Sequence, residues 1–425
     1  MQTSQSLVME NEIDEVKGKS LDYIVFWLGF TLNISQVFFG INIAVSDFFM
    51  VFLFIHLLVL RKIYFTKNTL LFFMLVIALR LISTIYLSVF LNISMSAMSI
   101  LITFQKFVMG LLYFTITISV AKKNPNLKQL VFKGLKYGAF ILGGISLVLF
   151  AVGPTILRTF ILFGDMRLKG FMNDPNYFAY LQICGYCIWA MKPFRAKVIN
   201  MVAGVVFVSS ILLSASKTGL IVFLLLNLLL LGKKIISVKL QLRRLTVAVL
   251  FLGIGLSLFY LFFDQVIYTV ARFTQTIPQL ARLNVVFSNF NGAINDGGSG
   301  RFQAWETAEE LITGTHFMGI GFMDYSAVAR SISGSPIIAH NTFLQLAVEW
   351  GVLPLIFGLF FVLKASINKL LQKNWLLLFL ITINLVFSFS VSLQNSRLLW
   401  IVLAMLFIKE DSGRMTEKIT IKQTE

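Results

Sequence analysis

The sequence predicts an all-α polytopic membrane protein of about twelve transmembrane helices with one long extracytoplasmic loop containing short helices. Three observations predict it. Of 425 residues, 57% are hydrophobic and only 13% charged, and the mean hydropathy of +0.84 is far above that of a water-soluble globule. Apolar runs of about 17 to 25 residues, each able to cross a ~30 Å hydrocarbon core, recur between short charged connections. The runs are continuous and lack the alternation of a lipid-facing strand, so they read as helices and not as a barrel.

In chain order, residues 1–20 read as a cytoplasmic tail, whose polar stretch with Glu10, Glu12, Asp14 and Glu15 shows no signal-peptide pattern. The first nine spans fall within 21–263, near 21–38, 43–60, 69–90, 97–120, 131–152, 175–191, 197–213, 218–232 and 245–263. A long loop over 264–340 follows. Spans ten to twelve fall within 341–408, near 341–364, 375–391 and 395–408, and 409–425 form a second tail.

A net charge of +17 could point to nucleic acid, but the cations cluster on alternate connections. Arg61, Lys62 and Lys67 follow the second span, Lys122 to Lys136 the fourth, and Lys192, Arg195 and Lys197 the sixth. Lys233 to Arg244 follow the eighth, and Lys364, Lys369 and Lys373 the tenth. The positive-inside rule makes these connections cytoplasmic, with both termini on the same side, and accounts for the charge without nucleic acid. The connections around 158–175, 214–219, 264–339 and 394–397 are then extracytoplasmic.

The loop over 264–340 is too long for a connector, and loops of that length are functional or carry their own structure. Its first part, 264–291, reads as amphipathic helix, Gly292 to Gly300 as a turn, and 302–312 as a short helix with Phe302, Trp305, Ala308 and Leu311 at helical spacing. Arg80 and Lys106 fall inside the third and fourth spans. A cation there costs roughly 2.5–3.5 kcal/mol and so faces a cavity or a partner. An anionic ligand is one such partner. Cys184 and Cys187 form a Cys-Gly-Tyr-Cys sequence inside the sixth span, where helix packing explains them better than redox chemistry.

Five polar motifs fall on the predicted extracytoplasmic side. They are Gly-Phe-Met-Asn-Asp-Pro-Asn at 170–176, Ser-Ala-Ser-Lys-Thr-Gly at 214–219, Ser-Gly-Arg at 299–301 with Trp305, Gly-Ile-Gly at 319–321, and Ala-His-Asn at 339–341 leading to Glu349 and Gly351. In this order the motifs resemble those of the O-antigen ligase and O-antigen polymerase family of bacterial inner membranes. The resemblance covers most of the chain in architecture and about residues 170–400 in motifs. It implies a multi-pass protein of the cytoplasmic membrane that transfers a glycan from a polyprenyl-pyrophosphate-linked donor without metal or other cofactor. The acceptor would be a glycan or lipid-linked glycan. Membrane lipid and polysaccharide-assembly proteins are further implied partners; nucleic acid is not.

The residues make chemical sense of that reaction. Displacing a pyrophosphate at an anomeric carbon needs cations on the leaving group and a base for the incoming hydroxyl. Lys217 and Arg301 can supply the first and His340 the second. Family members usually carry arginine where this chain has Lys217, which keeps the charge but not the planar fork. Arg80, Lys106, Asn176, Asn341 and Glu349 are candidate substrate-binding residues. Blander readings stand beside these. Asp174 and Pro175 suit the start of a helix, Arg301 can solvate a helix end, and Gly319 to Gly321 can be only a tight turn. His316 is a competing base, His56 reads as packed, and Glu306, Glu309 and Glu310 as the solvated face of a helix. A repeat-unit polymerase is the expected activity. A ligase is its near alternative, and a transporter of lipid-linked oligosaccharides is the alternative of another class.

Overall fold

The computed structural model describes residues 20–38, 41–90, 92–93, 96–123, 126–164, 166–237, 272 and 301–408. The ninth span, the first part of the long loop apart from Arg272, the turn expected over Gly292 to Gly300, and both predicted tails apart from Ser20 lie outside the described residues. Helix α1 covers 20–31 and leads into a hairpin of β1 (Ser35–Phe38) and β2 (Ile41–Ala44). There follow α2 (Val45–Val59), α3 (Lys67–Phe90), α4 (Ala97–Lys123) and α5 (Leu127–Val152). The short α6 (Thr155–Ile161) and the two-residue strands β3 (Leu162–Phe163) and β4 (Arg167–Leu168) precede α7 (Pro175–Met191), α8 (Lys197–Leu213) and α9 (Lys217–Ser237). The last part comprises α10 (Arg301–Gly314), α11 (Tyr325–Ser333), α12 (Thr342–Trp350), α13 (Val352–Leu371), α14 (Trp375–Ser388) and α15 (Arg397–Phe407).

Among the described residues four helices, α3, α4, α5 and α13, are long and apolar enough to cross a membrane. Only 17% of the most apolar window of α13 is buried, so its large hydrophobic side chains face outward and require a lipid solvent. The main core joins α1, α2, α4, α5, α7, α9, α14 and α15. A second core of Leu87, Ala308, Leu311, Ile320, Val328 and Val348 holds α10 and α11 against the end of α3 and against α12. At one end of the bundle, lysines close helix termini: Lys136 donates to the Lys192 carbonyl (2.9 Å) and Lys369 to that of Ile408 (2.7 Å).

Two expected spans are divided. Residues 21–38 read as one span, but the helix ends at 31 and the chain turns into the β1–β2 hairpin. There Val37 and Ile41 belong to a pair of strands and not to a helix face. The run 341–364 is two helices, broken at Gly351, whose φ of 92° lies where glycine is favoured. The break receives the turn after α10: Ile320 N donates to the Val348 carbonyl (2.6 Å) and Val352 N to that of Phe317 (3.0 Å). A Cβ on Gly351 would stand 2.6 Å from the Met318 oxygen. Gly351→Ala is therefore expected to destabilise the protein by more than about 1 kcal/mol, read as a fall in the thermal unfolding midpoint of the detergent-solubilised protein.

The same turn explains a buried cation. Arg80 of α3 donates through Nε and Nη2 to the Gly321 carbonyl (2.9 and 2.6 Å), and its guanidinium lies 4.2 Å from the Phe322 ring centroid and 5.1 Å from that of Phe107. Thr84 Oγ1 accepts from Phe322 N, and Ser83 Oγ donates to the Met318 carbonyl. Gly-Ile-Gly is thus a turn pinned on one side by α3 and on the other by the helix break.

Candidate active site

Helices α7, α9 and α12 begin at one end of the bundle, and hydrogen bonds tie their first residues together. Asp174 caps α7 by accepting from Asn176 N (2.7 Å) and Tyr177 N, with Pro175 at the first helical position. Ser216 performs the same service for α9 through Gly219 N (3.1 Å). Asn341 caps α12 by accepting from Phe343 N (2.9 Å) and Leu344 N (3.2 Å). Between caps, Ser216 Oγ donates to Asn176 Oδ1 (3.0 Å), Ser390 Oγ to Thr218 Oγ1 (2.6 Å), and Thr342 Oγ1 to the Val391 carbonyl (2.8 Å). Motifs separated by more than a hundred residues thus form one rim.

His340 stands on this rim with φ of 47°, a left-handed backbone that turns the chain into α12. Histidine tolerates this region better than most residues, and such strain collects at functional sites. The side chain is exposed. Desolvation by its neighbours and then the charge of Arg301 hold the imidazole below its ordinary pKa of 6.5, while Asp174 pulls the other way. His340, Arg301 and Asp174 therefore share one electrostatic environment, although they come from three separate motifs. Arg301 is the first residue of α10 and Lys217 the first of α9. Both place a cation at the positive end of a helix dipole, where carboxylates are favoured, and so concentrate positive potential.

Arg167 is a member of this rim that the sequence reading passed over. Its nearly buried guanidinium donates to the Ser214 carbonyl (3.0 Å) and to Asn176 Oδ1 (3.0 Å), joining the β3–β4 hairpin to the starts of α7 and α9. Its place three residues before Gly170, at the head of the Gly-Phe-Met-Asn-Asp-Pro-Asn run, was the available signal. Arg167→Met is expected to cost roughly 1.5–3 kcal/mol for each charged hydrogen bond lost. The unfolding midpoint should fall, with partial recovery in Arg167→Lys.

The remaining candidates separate into two groups. Asn176 and Asn341 use their side-chain oxygens within the rim and as a cap. Arg80, Lys106 and Glu349 line one cavity of about 200 Å³, walled also by Gln345, Gln394 and Tyr325, with Trp350 and Trp400 beside them. Glu349 Oε1 accepts from Gln345 Nε2 (2.8 Å) and Gln394 Nε2 (3.4 Å). Burial and then Glu349 push the Tyr325 phenol up, so it remains a hydroxyl. A second cavity, about 990 Å³ and largely apolar, extends from Thr342 and Phe343 to Lys364, Lys369 and Ile408. His316 lies away from the rim, against Tyr86 of α3. Cys184 and Cys187 are buried free thiols. Asp47 forms an ion pair with Arg397 at 2.8 Å and accepts from Tyr113 Oη, which ties α2, α4 and α15. Among the described residues no group of three or more His, Cys, Asp or Glu side chains is placed to hold a metal ion.

The architecture defines a multi-pass helical membrane protein with a basic, histidine-bearing rim at the ends of several helices. Residues 202–359, rather more than a third of the chain, match the O-antigen ligase family model, so this stretch is similar to the O-antigen ligase and polymerase family. That stretch includes Lys217, Arg301, His340 and Glu349; Arg80, Lys106, Arg167 and Asn176 lie before it. No curated protein matches the chain. The family is one of glycosyltransferase-like enzymes of polysaccharide biosynthesis.

Proposed function

We propose that this chain transfers a glycan from a polyprenyl-pyrophosphate carrier to an acceptor hydroxyl at the extracytoplasmic face of the cytoplasmic membrane, and that it acts as a repeat-unit polymerase. The observation that carries the reading is the convergence of His340, Arg301 and Asp174 on one rim that also holds the start of α9 with Lys217. His340, neutral at working pH, accepts the proton of the acceptor hydroxyl as its oxygen bonds to the anomeric carbon. The bond from that carbon to the pyrophosphate oxygen breaks, and Arg301 and Lys217 balance the charge on the departing polyprenyl pyrophosphate. No metal or other cofactor is assigned a part. The apolar cavity beginning beside His340 suits the carrier's tail. About twelve transmembrane helices with cytoplasmic termini complete the topology, the basic connections lying on the cytoplasmic side.

A ligase acting on a lipid A core is the second reading, favoured by the description of the matching family. A carrier of lipid-linked oligosaccharides is the third, favoured by the helix break at Gly351 beside a polar cavity. The test is the size distribution of surface polysaccharide from a strain lacking the gene, complemented with wild type or His340→Ala. In a host with an outer membrane, single repeat units on the lipid A core mean that polymerisation is lost. Full-length polymer left on the carrier means a ligase. An unchanged ladder with His340→Ala, at normal protein level, overturns the catalytic reading in favour of the carrier.

A further inference from the structure

Helix α12 lies beside two adjoining cavities. Phe343 and Leu346 face the large apolar one and Gln345 and Glu349 the small polar one, while Trp350, with Gln394 and Trp400 from other elements, lines both. Lys106 of α4, an exposed side chain, stands at the edge of the polar cavity without a hydrogen bond or ion pair to any described residue. Gln345 and Gln394 are 6% and 5% exposed, and both give their amide nitrogens to Glu349. Their carbonyl oxygens, Oε1 in each case, have no donor. Reversing either amide would turn a carbonyl oxygen toward the carboxylate, so the assignment of nitrogen and oxygen follows from Glu349 itself.

A ligand that suits this lining donates hydrogen bonds to the two amide oxygens and the carboxylate, and accepts one from Lys106. Pyrophosphate fails this description because it offers no donors, and Arg80 is already spent on the Gly321 carbonyl. A sugar ring meets it: hydroxyls donate, a ring substituent oxygen accepts, and its C–H faces pack against Phe107, Trp350 and Trp400. The volume of about 200 Å³ suits one such ring. The apolar cavity on the other face of α12 is better matched to a lipid tail, which leaves the polar side for the partner in transfer.

We propose that this cavity is the subsite for the terminal sugar ring of the acceptor glycan, held by Lys106, Gln345, Glu349 and Gln394 beneath the His340 loop. The assignment rests on the glycosyl-transfer reading above, and the following test separates the two. The full chain, purified in detergent, is titrated with repeat-unit oligosaccharide released by mild acid from the strain's own carrier-linked repeat, which keeps its accepting end, and tryptophan fluorescence is followed. Saturable quenching is expected for the wild type and for His340→Ala alike. Lys106→Met and Gln394→Leu should each weaken binding at least tenfold. In turnover they should raise the acceptor KM while the donor KM stays within twofold. Lys106→Met removes no internal hydrogen bond, so it decides the matter should Gln394→Leu fail to fold. Absence of saturable quenching, binding unchanged in Lys106→Met, or a rise confined to the donor KM would each overturn the subsite. Turnover surviving in His340→Ala would instead overturn the catalytic reading and leave the binding result standing.

Discussion

Turnover of carrier-linked donor is expected to fall by roughly 10²–10⁴-fold when His340 is replaced by alanine, the range lost with a positioned general base. A fall of that size could also come from the backbone, because His340 sits at φ of 47° and alanine pays about 1–2 kcal/mol there. His340→Asn controls for this. Asparagine adopts the left-handed region readily but cannot act as a base near neutral pH, so the two variants should lose activity equally while the asparagine protein keeps the wild-type unfolding midpoint. Activity restored in His340→Asn would show that the histidine serves the turn and not the chemistry.

The pH profile gives a second, independent reading of the same group. Desolvation first, and then Arg301, lower the His340 pKa below 6.5. The neutral, base-competent imidazole is accordingly the dominant form at and above neutral pH. It is lost as pH falls through that lowered value. Activity should show an acid limb below 6.5. In Arg301→Gln the charge that helps to lower the pKa is gone, so the limb of the residual activity should move to higher pH. An acid limb in the same place with and without the Arg301 charge would separate the two residues.

Much of the helical framework is written in the hydropathy of the chain, because a run such as 131–152 has few ways to satisfy its backbone in lipid other than as a helix. Where the runs divide, hydropathy is blind. Gly351 sits in an apolar context that reads as continuous, and only the arrival of the 317–321 turn from across the fold requires its positive φ. The same long-range contact hides the use of Arg80: a cation inside a span signals a partner, but nothing local says that the partner is a backbone carbonyl 241 residues away. Asn341 and Asp174 illustrate the opposite case, since cap residues ahead of helices are legible from a few neighbours alone. Arg167 escaped notice because a cation in a connection looks solvated until the fold buries it against Asn176 and Ser214.

Removing the cations that begin α9 and α10 is the other change with a large expected effect. Lys217 and Arg301 occupy the helix positions at which the macrodipole disfavours positive charge, by about 0.3–1 kcal/mol at exposed sites. Placing both there costs stability, and an anion delivered to the rim offsets the cost for both at once. If that anion is the pyrophosphate of the donor, Arg301→Ala should lower turnover about 10²–10³-fold, as expected for loss of a donor that meets developing charge. Arg301→Lys should recover part of it, keeping the charge without the bidentate fork. Lys217→Ala should fall in the same range. Lys217→Arg should match or exceed the wild type, because the longer fork can take two pyrophosphate oxygens where the ammonium meets them as a point charge. The double alanine variant should lose less than the product of the single losses, since two groups clamping one leaving group act as a unit. Strictly multiplicative losses, together with an unchanged donor KM in both single variants, would place Lys217 and Arg301 on different ligands.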